Sequence, residues 1–314
     1  MPSRDEVLKE INDGSSTPDS IRRRYLSLMH AATGRNVIAY YSGFLQKSGT
    51  NNTDINNDDI NAFMGAVYGL DKSKGLDLIL HTPGGIGSAA ETIVFYLKSN
   101  FGNDIRAFVP QIALSAGTMI ALGCREIVMG KQSSLGPIDP QIRGGMSCPA
   151  VLDEFERARR EIRKDESNAS LWGPILSKFK PALLSSCQNH VRWCNRVTTE
   201  WLCSNMFREE ENPEKLAQNV VAELGDYSKT YFHGNHYHID KCRDLGLKVT
   251  SLESIAGNAP EGCKDLQDCV LTIHHAYMIT FSESNAVKIV ENHNGNGMTT
   301  NDRIREEHKS NSKS

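Results

Sequence analysis

The chain has no long apolar run, no surplus of charge and no closely paired cysteines. Nothing in it approaches the ~20 consecutive apolar residues that cross a bilayer, so no membrane span is expected. Lysine and arginine together number 35 against 38 aspartates and glutamates, a net charge of −3. That balance offers no basic surface for holding nucleic acid or an anionic membrane by electrostatics alone. The opening stretch, MPSRDEVLKEINDGSS, is polar and lacks an apolar signal core. The eight cysteines are scattered and none forms a C-x-x-C pair, which points to reduced thiols and a cytoplasmic setting. Peripheral attachment to a membrane through a partner stays open. Gly84-Gly85-x-Gly87 lacks the lysine and hydroxyl residue of a phosphate-binding P-loop.

What is present is an ordinary soluble composition, 39% hydrophobic and 23% charged over 314 residues. Residues 1–20 carry the breakers Gly14-Ser15-Ser16 and Pro18 and read as a flexible N-terminus. Ile21 to His30 reads as a helix stopping near Gly34, followed by a strand, NVIAYY, from Asn36. Lys47 to Asp59 is rich in Asn, Thr and Asp and reads as an exposed loop. Ile60, Phe63, Met64, Val67 and Leu70 recur at helical spacing, with Asp58 or Asp59 placed to cap. Apolar runs at 76–80, 105–109 and 126–129 read as buried strands, with helices at 89–97 and 115–122 between them. Strands alternating with helices predict an α/β fold with a largely parallel sheet. The second half is mostly helical, with amphipathic stripes at 151–162, 181–206 and 266–277 and short strands at 245–249 and 286–290. One domain over 21–291 and a disordered tail over 292–314 complete the expectation.

Two small-residue turns dominate the chemistry. Thr82-Pro83-Gly84-Gly85 and Leu114-Ser115-Ala116-Gly117 each join a strand-like run to a helix-like run. Backbone bent in this way leaves amide N–H groups free at two helix starts, and one turn carries a serine. A nucleophile beside donors for a developing oxyanion is the layout of an acyl-transfer site. Ser115 is the expected nucleophile, and the amides of Gly84 and Ala116 the expected oxyanion hole, with Gly85 the next candidate. The plainer alternative is a serine that only caps a helix and glycines that only make turns.

HTPGG, then ALSAGTMIAL, then SSLGPIDPQ, together with GRNVIAYYSGFL and DDINAFMGAVYGLD, resemble the Clp-fold serine proteases. Within them the chain most resembles the serine dehydrogenase proteinase family, which is related to signal peptide peptidase SppA. The resemblance covers about residues 20–255, more weakly through WGPILSKFKP and DLGLKV. It implies the ClpP/crotonase-like fold of ββα repeats, a peptide or protein substrate, ATP-independent hydrolysis without cofactor or metal, and a homo-oligomer. It also implies a Ser-Lys mechanism, since the position of the ClpP histidine falls near Asp139. Lys164 sits at a suitable distance but faces away from the stripe of Val151, Phe155 and Ile162. Lys178, ahead of Lys180 at the start of the long helix, is the expected base. A lysine serves as base only when desolvated.

His233, His236 and His238 cluster in FHGNHYHID near Cys242, without a carboxylate or second cysteine to complete a metal set. His274-His275 on an apolar helix reads as packing. Trp172, Trp193, Trp201, Phe179 and Phe207 are more large aromatics than one α-layer readily buries, a hint of subunit contact. Two rival functions share the fold: a crotonase-type acyl-CoA enzyme, which needs an acidic base, and a noncatalytic scaffold that has lost its base.

Overall fold

A computed structural model describes residues 3–13, 17–142, 145–226, 233–255 and 259–302. The first half runs α1 (Arg4–Asp13), α2 (Pro18–Thr33), β1 (Asn36–Ser42), α3 (Asp59–Val67), β2 (Leu76–His81), α4 (Gly87–Phe101), β3 (Ile105–Val109), β4 (Ile112–Ala113), α5 (Ala116–Leu122) and β5 (Glu126–Met129). The short strands β6 (Ser134–Leu135), β7 (Gln141–Ile142) and β8 (Met146–Ser147) lead into α6 (Cys148–Lys164), α7 (Ala169–Leu176), α8 (Leu183–Ser204) and α9 (Pro213–Gly225). The last described elements are α10 (Ile239–Asp244), β9 (Val249–Ser251), α11 (Leu266–Glu283), β10 (Ala286–Asn292) and β11 (Gly297–Asn301).

The seven-stranded sheet has the order β11-β10-β1-β2-β3-β5-β9. Its five strands from β1 to β9 are parallel, and β10 and β11 join antiparallel at one edge. Side-chain alternation then builds two cores. Leu76, Leu78 and Leu80 of β2 point into a core with α3, α4, α5, α8 and α9, while Ile79 points into one formed by α1, α2 and α11. Burial on both faces is why these strands read as unbroken apolar runs. The architecture is mixed α/β, as the alternation of strand and helix predicts.

Four stretches differ from the sequence expectation. The N-terminal segment contains α1, whose Val7 and Ile11 are buried against α11. The loop at 47–59 is not simply exposed: Ile55 is fully buried and Asp59 nearly so. The strand expected at 245–249 forms later, as β9, because Gly246 takes a left-handed turn at φ +84°. The expected disordered tail begins with β11, reached through a turn in which Asn292 Oδ1 accepts from the Asn294 and Asn296 amides. Residues 303–314 lie outside the described residues.

Asp58 stands at the N-cap of α3 without a side-chain cap bond. Asp59 has a different task. Its carboxylate accepts from the Asn56 amide at 3.0 Å, the Tyr40 hydroxyl at 2.8 Å and Lys288 Nζ at 2.6 Å. Lys288 also donates to the Asp54 carbonyl at 2.7 Å, and the Ser42 hydroxyl donates to the Thr53 carbonyl at 2.5 Å. Residues 53–56 are therefore pinned one after another. Removing one partner from a buried ion pair strands the other charge. Lys288→Met should cost about 3–5 kcal/mol in urea unfolding, and adding Asp59→Asn should recover part of the loss.

On the opposite face, His81 at the end of β2 meets His274 of α11, ring centroids 5.2 Å apart, between Tyr41 and Phe44. Neither His81 nitrogen has a partner among the described residues, which supports packing for His274 as expected. Burial pushes His81 down to about 3 from its ordinary 6.5, and His274 well below the same value. The unfolded chain therefore binds protons that the folded chain refuses. Stability from these rings is complete above about pH 6.5 and declines as pH falls from there toward 3. The urea midpoint should be lower at acid pH than at neutral pH, with a smaller difference in His274→Phe.

Candidate active site

Thr82 ends β2 and couples it to the second turn. Its N–H donates to the Ile112 carbonyl at 3.0 Å, and its carbonyl accepts from the Leu114 amide at 3.1 Å. Gly117 allows α5 to come this close, since a Cβ there would lie 2.4 Å from Thr82 Cγ2. Ser115 is the residue before α5, with φ +52° and ψ −117°. A non-glycine residue in that region is strained by about 1–3 kcal/mol. The strain is held by hydrogen bonds: Gly117 N–H to the Leu114 carbonyl at 2.8 Å, and the Thr118 hydroxyl to the Ala113 carbonyl at 2.8 Å.

Ser115 is half-buried and lines a cavity of about 720 Å³ with Gly85, Ala116, Asp139, His190, Trp193 and His233 among its walls. Ala116 is the first residue of α5, so its N–H has no acceptor within the helix. The two glycines differ. Gly84 is buried, and its N–H donates to Thr82 Oγ1 at 3.2 Å. Gly85 is exposed and lines the cavity. The Ile55 amide donates to the Gly84 carbonyl at 2.7 Å and the Ile86 amide to the Ile55 carbonyl at 2.8 Å. This bridge uses Gly84 O and Ile86 N and leaves the Gly85 N–H out. Both glycines have positive φ, +98° and +150°. A Cβ on Gly84 would lie 2.6 Å from both Leu114 O and Ser115 Cβ, and one on Gly85 2.3 Å from Ile55 O.

The lysines lie elsewhere. Lys178, Lys180 and Lys164 are all exposed, and none lines the Ser115 cavity. Phe179, next to Lys178, lines a neighbouring cavity of about 420 Å³ that shares Gln141 and His233 with the first. Asp139 and His233 pair in the wall of the cavity that Ser115 lines, a pairing that a sequence separation of nearly a hundred residues hides. His233 Nδ1 is 2.7 Å from Asp139 Oδ1. A carboxylate has no hydrogen to give, so the imidazole donates. His236 instead meets the Ser134 hydroxyl at 2.7 Å and His238 donates to the Ser133 carbonyl at 3.0 Å. Among the described residues no group of three His, Cys, Asp or Glu side chains is gathered as a metal site.

The aromatics of the helical half pack within the chain. Trp172 and Phe207 are buried, Phe179 packs on Phe155, and Trp193 and Trp201 lie against the main core. The large exposed apolar residues include Tyr68, at 80%, and Phe95, at 73%. No described helix is long and apolar enough to cross a membrane.

Two uncharacterized proteins of Methanocaldococcus jannaschii are similar to the chain. One is 28% identical over 205 residues, 65% of this chain and 61% of that protein. The other is 33% identical over 176 residues, 56% of this chain and 52% of that protein. The matches thus span between half and two thirds of those relatives. Two solved chains also match: a serine-to-alanine variant of the 1510-N membrane-bound stomatin-specific protease, and a lysine-to-alanine variant of it in complex with a substrate peptide. They are 24% and 19% identical, cover 38% and 70% of this chain and 60% and 93% of their own, and superpose with TM-scores of 0.27 and 0.28. Overlap that loose carries no argument about mechanism. The ClpP-like SDH-type serine proteinase model matches residues 52–179, a span that holds both small-residue turns, Asp139 and Lys178. Over that segment, less than half of its length, the chain is similar to the ClpP-like SDH-type serine proteinases.

Proposed function

We propose that the chain is an ATP-independent serine peptidase acting on peptide or protein substrates with no cofactor. Ser115 Oγ attacks the scissile carbonyl, an acyl-enzyme forms, and water releases it. The observation that carries this is the strained Ser115 at the start of α5, facing a cavity beside the Gly84–Gly85 turn. Strain of this kind persists where the surroundings enforce it and clusters at active sites. The match of residues 52–179 to a serine proteinase family supports the same chemistry.

For the oxyanion hole we favour the amides of Ala116 and Gly85. Gly84, the first expectation, already donates to Thr82; it acts in this scheme by shaping the turn. In a Ser-Lys form of the mechanism, Lys178 must leave water and close over the cavity, because an exposed lysine stays charged. The ClpP/crotonase repeat is also part of the proposal: β3, the short β4 and α5 follow one another as one ββα unit, with β4 paired to β6 outside the main sheet. Eight unpaired thiols favour a reducing, cytoplasmic compartment. Exposed Tyr68 and Phe95 favour self-association.

Ser115→Ala should abolish hydrolysis of labelled casein and labelling by a fluorophosphonate while the protein stays folded. Retained hydrolysis would remove the nucleophile. Gly84→Ala should lower kcat by about two orders of magnitude or more, and should also lower Tm, since its Cβ meets Leu114 O. Unchanged kcat would detach the turn from the chemistry. Light scattering after size exclusion should give a mass well above 34.8 kDa; a monomer at micromolar concentration would end the oligomer proposal.

A further inference from the structure

We propose that Cys263 and Cys269 form a peroxide-reactive thiol pair, in which the half-buried Cys263 is oxidised first and the buried Cys269 closes a reversible disulfide onto it. The two thiols are hydrogen-bonded to one another. Side chains in that contact meet the first condition of a disulfide, which closes only between Cβ atoms that approach each other. Both cysteines pack in the core that α1, α2 and α11 form, on the sheet face opposite α5 and Ser115.

Local folding brings the pair together. The Cys263 N–H donates to the Pro260 carbonyl at 2.9 Å, closing a turn through Gly262, whose φ is +78°. The Lys264 N–H then donates to Asp268 Oδ2 at 3.3 Å, while Asp265 caps α11 by accepting from the Asp268 amide at 2.8 Å. These bonds run in opposite senses across the cap, as in a capping box. They hold the residues before α11 over its first turn, where Cys269 stands.

The pair divides two tasks. Cys269 is fully buried, and its Sγ has two acceptors in reach, the Tyr25 carbonyl at 3.4 Å and the Cys263 sulfur. Cys263 lies between the exposed Gly262 and Lys264. The bond from Cys269 holds the Cys263 thiol below its ordinary value and pushes Cys269 up. Arg24 also favours the Cys263 thiolate, while Asp268 and Glu10 oppose it. Glu10 is engaged by Arg24 Nη1 at 2.8 Å and by the Tyr25 hydroxyl at 3.0 Å. An accessible thiol with thiolate character beside a resolving thiol is the arrangement that oxidises selectively.

The other six cysteines lack this combination. Cys148 and Cys187 also touch, but both are wholly buried, and burial pushes Cys148 up to about 12. Cys124, Cys194 and Cys242 are buried and pushed up to about 12 in the same way. Cys203 is half-buried, and burial followed by Glu214 pushes it up.

The electron accounting closes. Cys263 gives up its proton, its sulfur attacks one oxygen of hydrogen peroxide, and the O–O bond breaks. The sulfur becomes a sulfenic acid, and the departing hydroxide takes the released proton as water. Cys269 Sγ then attacks the Cys263 sulfur. The S–S bond forms, the S–O bond breaks, and the hydroxide leaves with the Cys269 proton as a second water. The two thiols lose two electrons and the peroxide gains them. A dithiol reductant reverses the bond by exchange. In a reducing compartment such a disulfide is transient.

The full-length chain is reduced, freed of reductant and treated with equimolar hydrogen peroxide. Its intact mass should fall by about 2 Da and recover with dithiothreitol. Trypsin cuts after Lys248, Lys264 and Lys288, so a non-reducing digest should join peptides 249–264 and 265–288. Cys263→Ser should lower the yield of the lighter species at least about tenfold. Cys269→Ser should stop instead at a species about 16 Da heavier, labelled by dimedone at Cys263. Ser115→Ala should oxidise as wild type does. If Cys269→Ser melts early, the peptide map of the unaltered chain carries the test. A map joining Cys148 to Cys187 would overturn the proposal. So would first oxidation at Cys203, or an unchanged mass under peroxide that oxidises glutathione in a parallel sample.

Discussion

The arrangement around Ser115 depends on a bridge of two hydrogen bonds. The Ile55 amide and carbonyl hold the Gly84 carbonyl and the Ile86 amide at 2.7 and 2.8 Å. The Gly84–Gly85 turn is thereby fixed against the Ser115 elbow, to which Thr82 already ties β2. Ile55 belongs to a polar connection that would otherwise wander. It is held by Ser42 of β1, by Asp59 at the start of α3 and by Lys288 of β10. An ion pair buried behind the sheet edge thus sets the aim of amides at a cavity wall. Net hydrogen bonds are each worth only about 1 kcal/mol, so rigidity here comes from their number and from the absence of room for a Cβ at either glycine.

Much of this was legible in the chain. The strands at 105–109 and 126–129 appear at their expected residues because a strand buried on both faces must be apolar throughout. The two turns were legible because glycine at positive φ and small residues at a close crossing leave few substitutes. The parts that were not legible are polar and long-range. Asp59 looks like a helix cap by position but serves Lys288, more than two hundred residues away. Asn292 to Asn301 has the composition of a tail, yet β10 offers an unpaired edge on which it forms β11. His233 sits in a cluster of three histidines that the sequence does not tell apart; the folded chain gives each ring its own separate partner.

The helical half illustrates a related limit. Counting aromatics between 151 and 207 suggested a surface in need of cover, but α6, α8 and α9 bury most of them among themselves and against the sheet. Composition records how much apolar area a segment carries. It does not record how much a neighbouring layer can take up. The exposed rings stand on the α3–α4 side, at Tyr68 and Phe95, where the apolar spacing of α3 placed Met64 inward and the structure turns it out at 53% exposed.

The backbone at Ser115 has a consequence for how such a chain would drift. Glycine fits a φ of +52° with less strain than serine does. The fold by itself would gain from exchanging this serine for glycine. A lineage released from whatever Ser115 does would therefore not merely tolerate its loss but be drawn toward it by foldedness alone. If Ser115 is the nucleophile proposed above, stability and use pull in opposite directions at this one position.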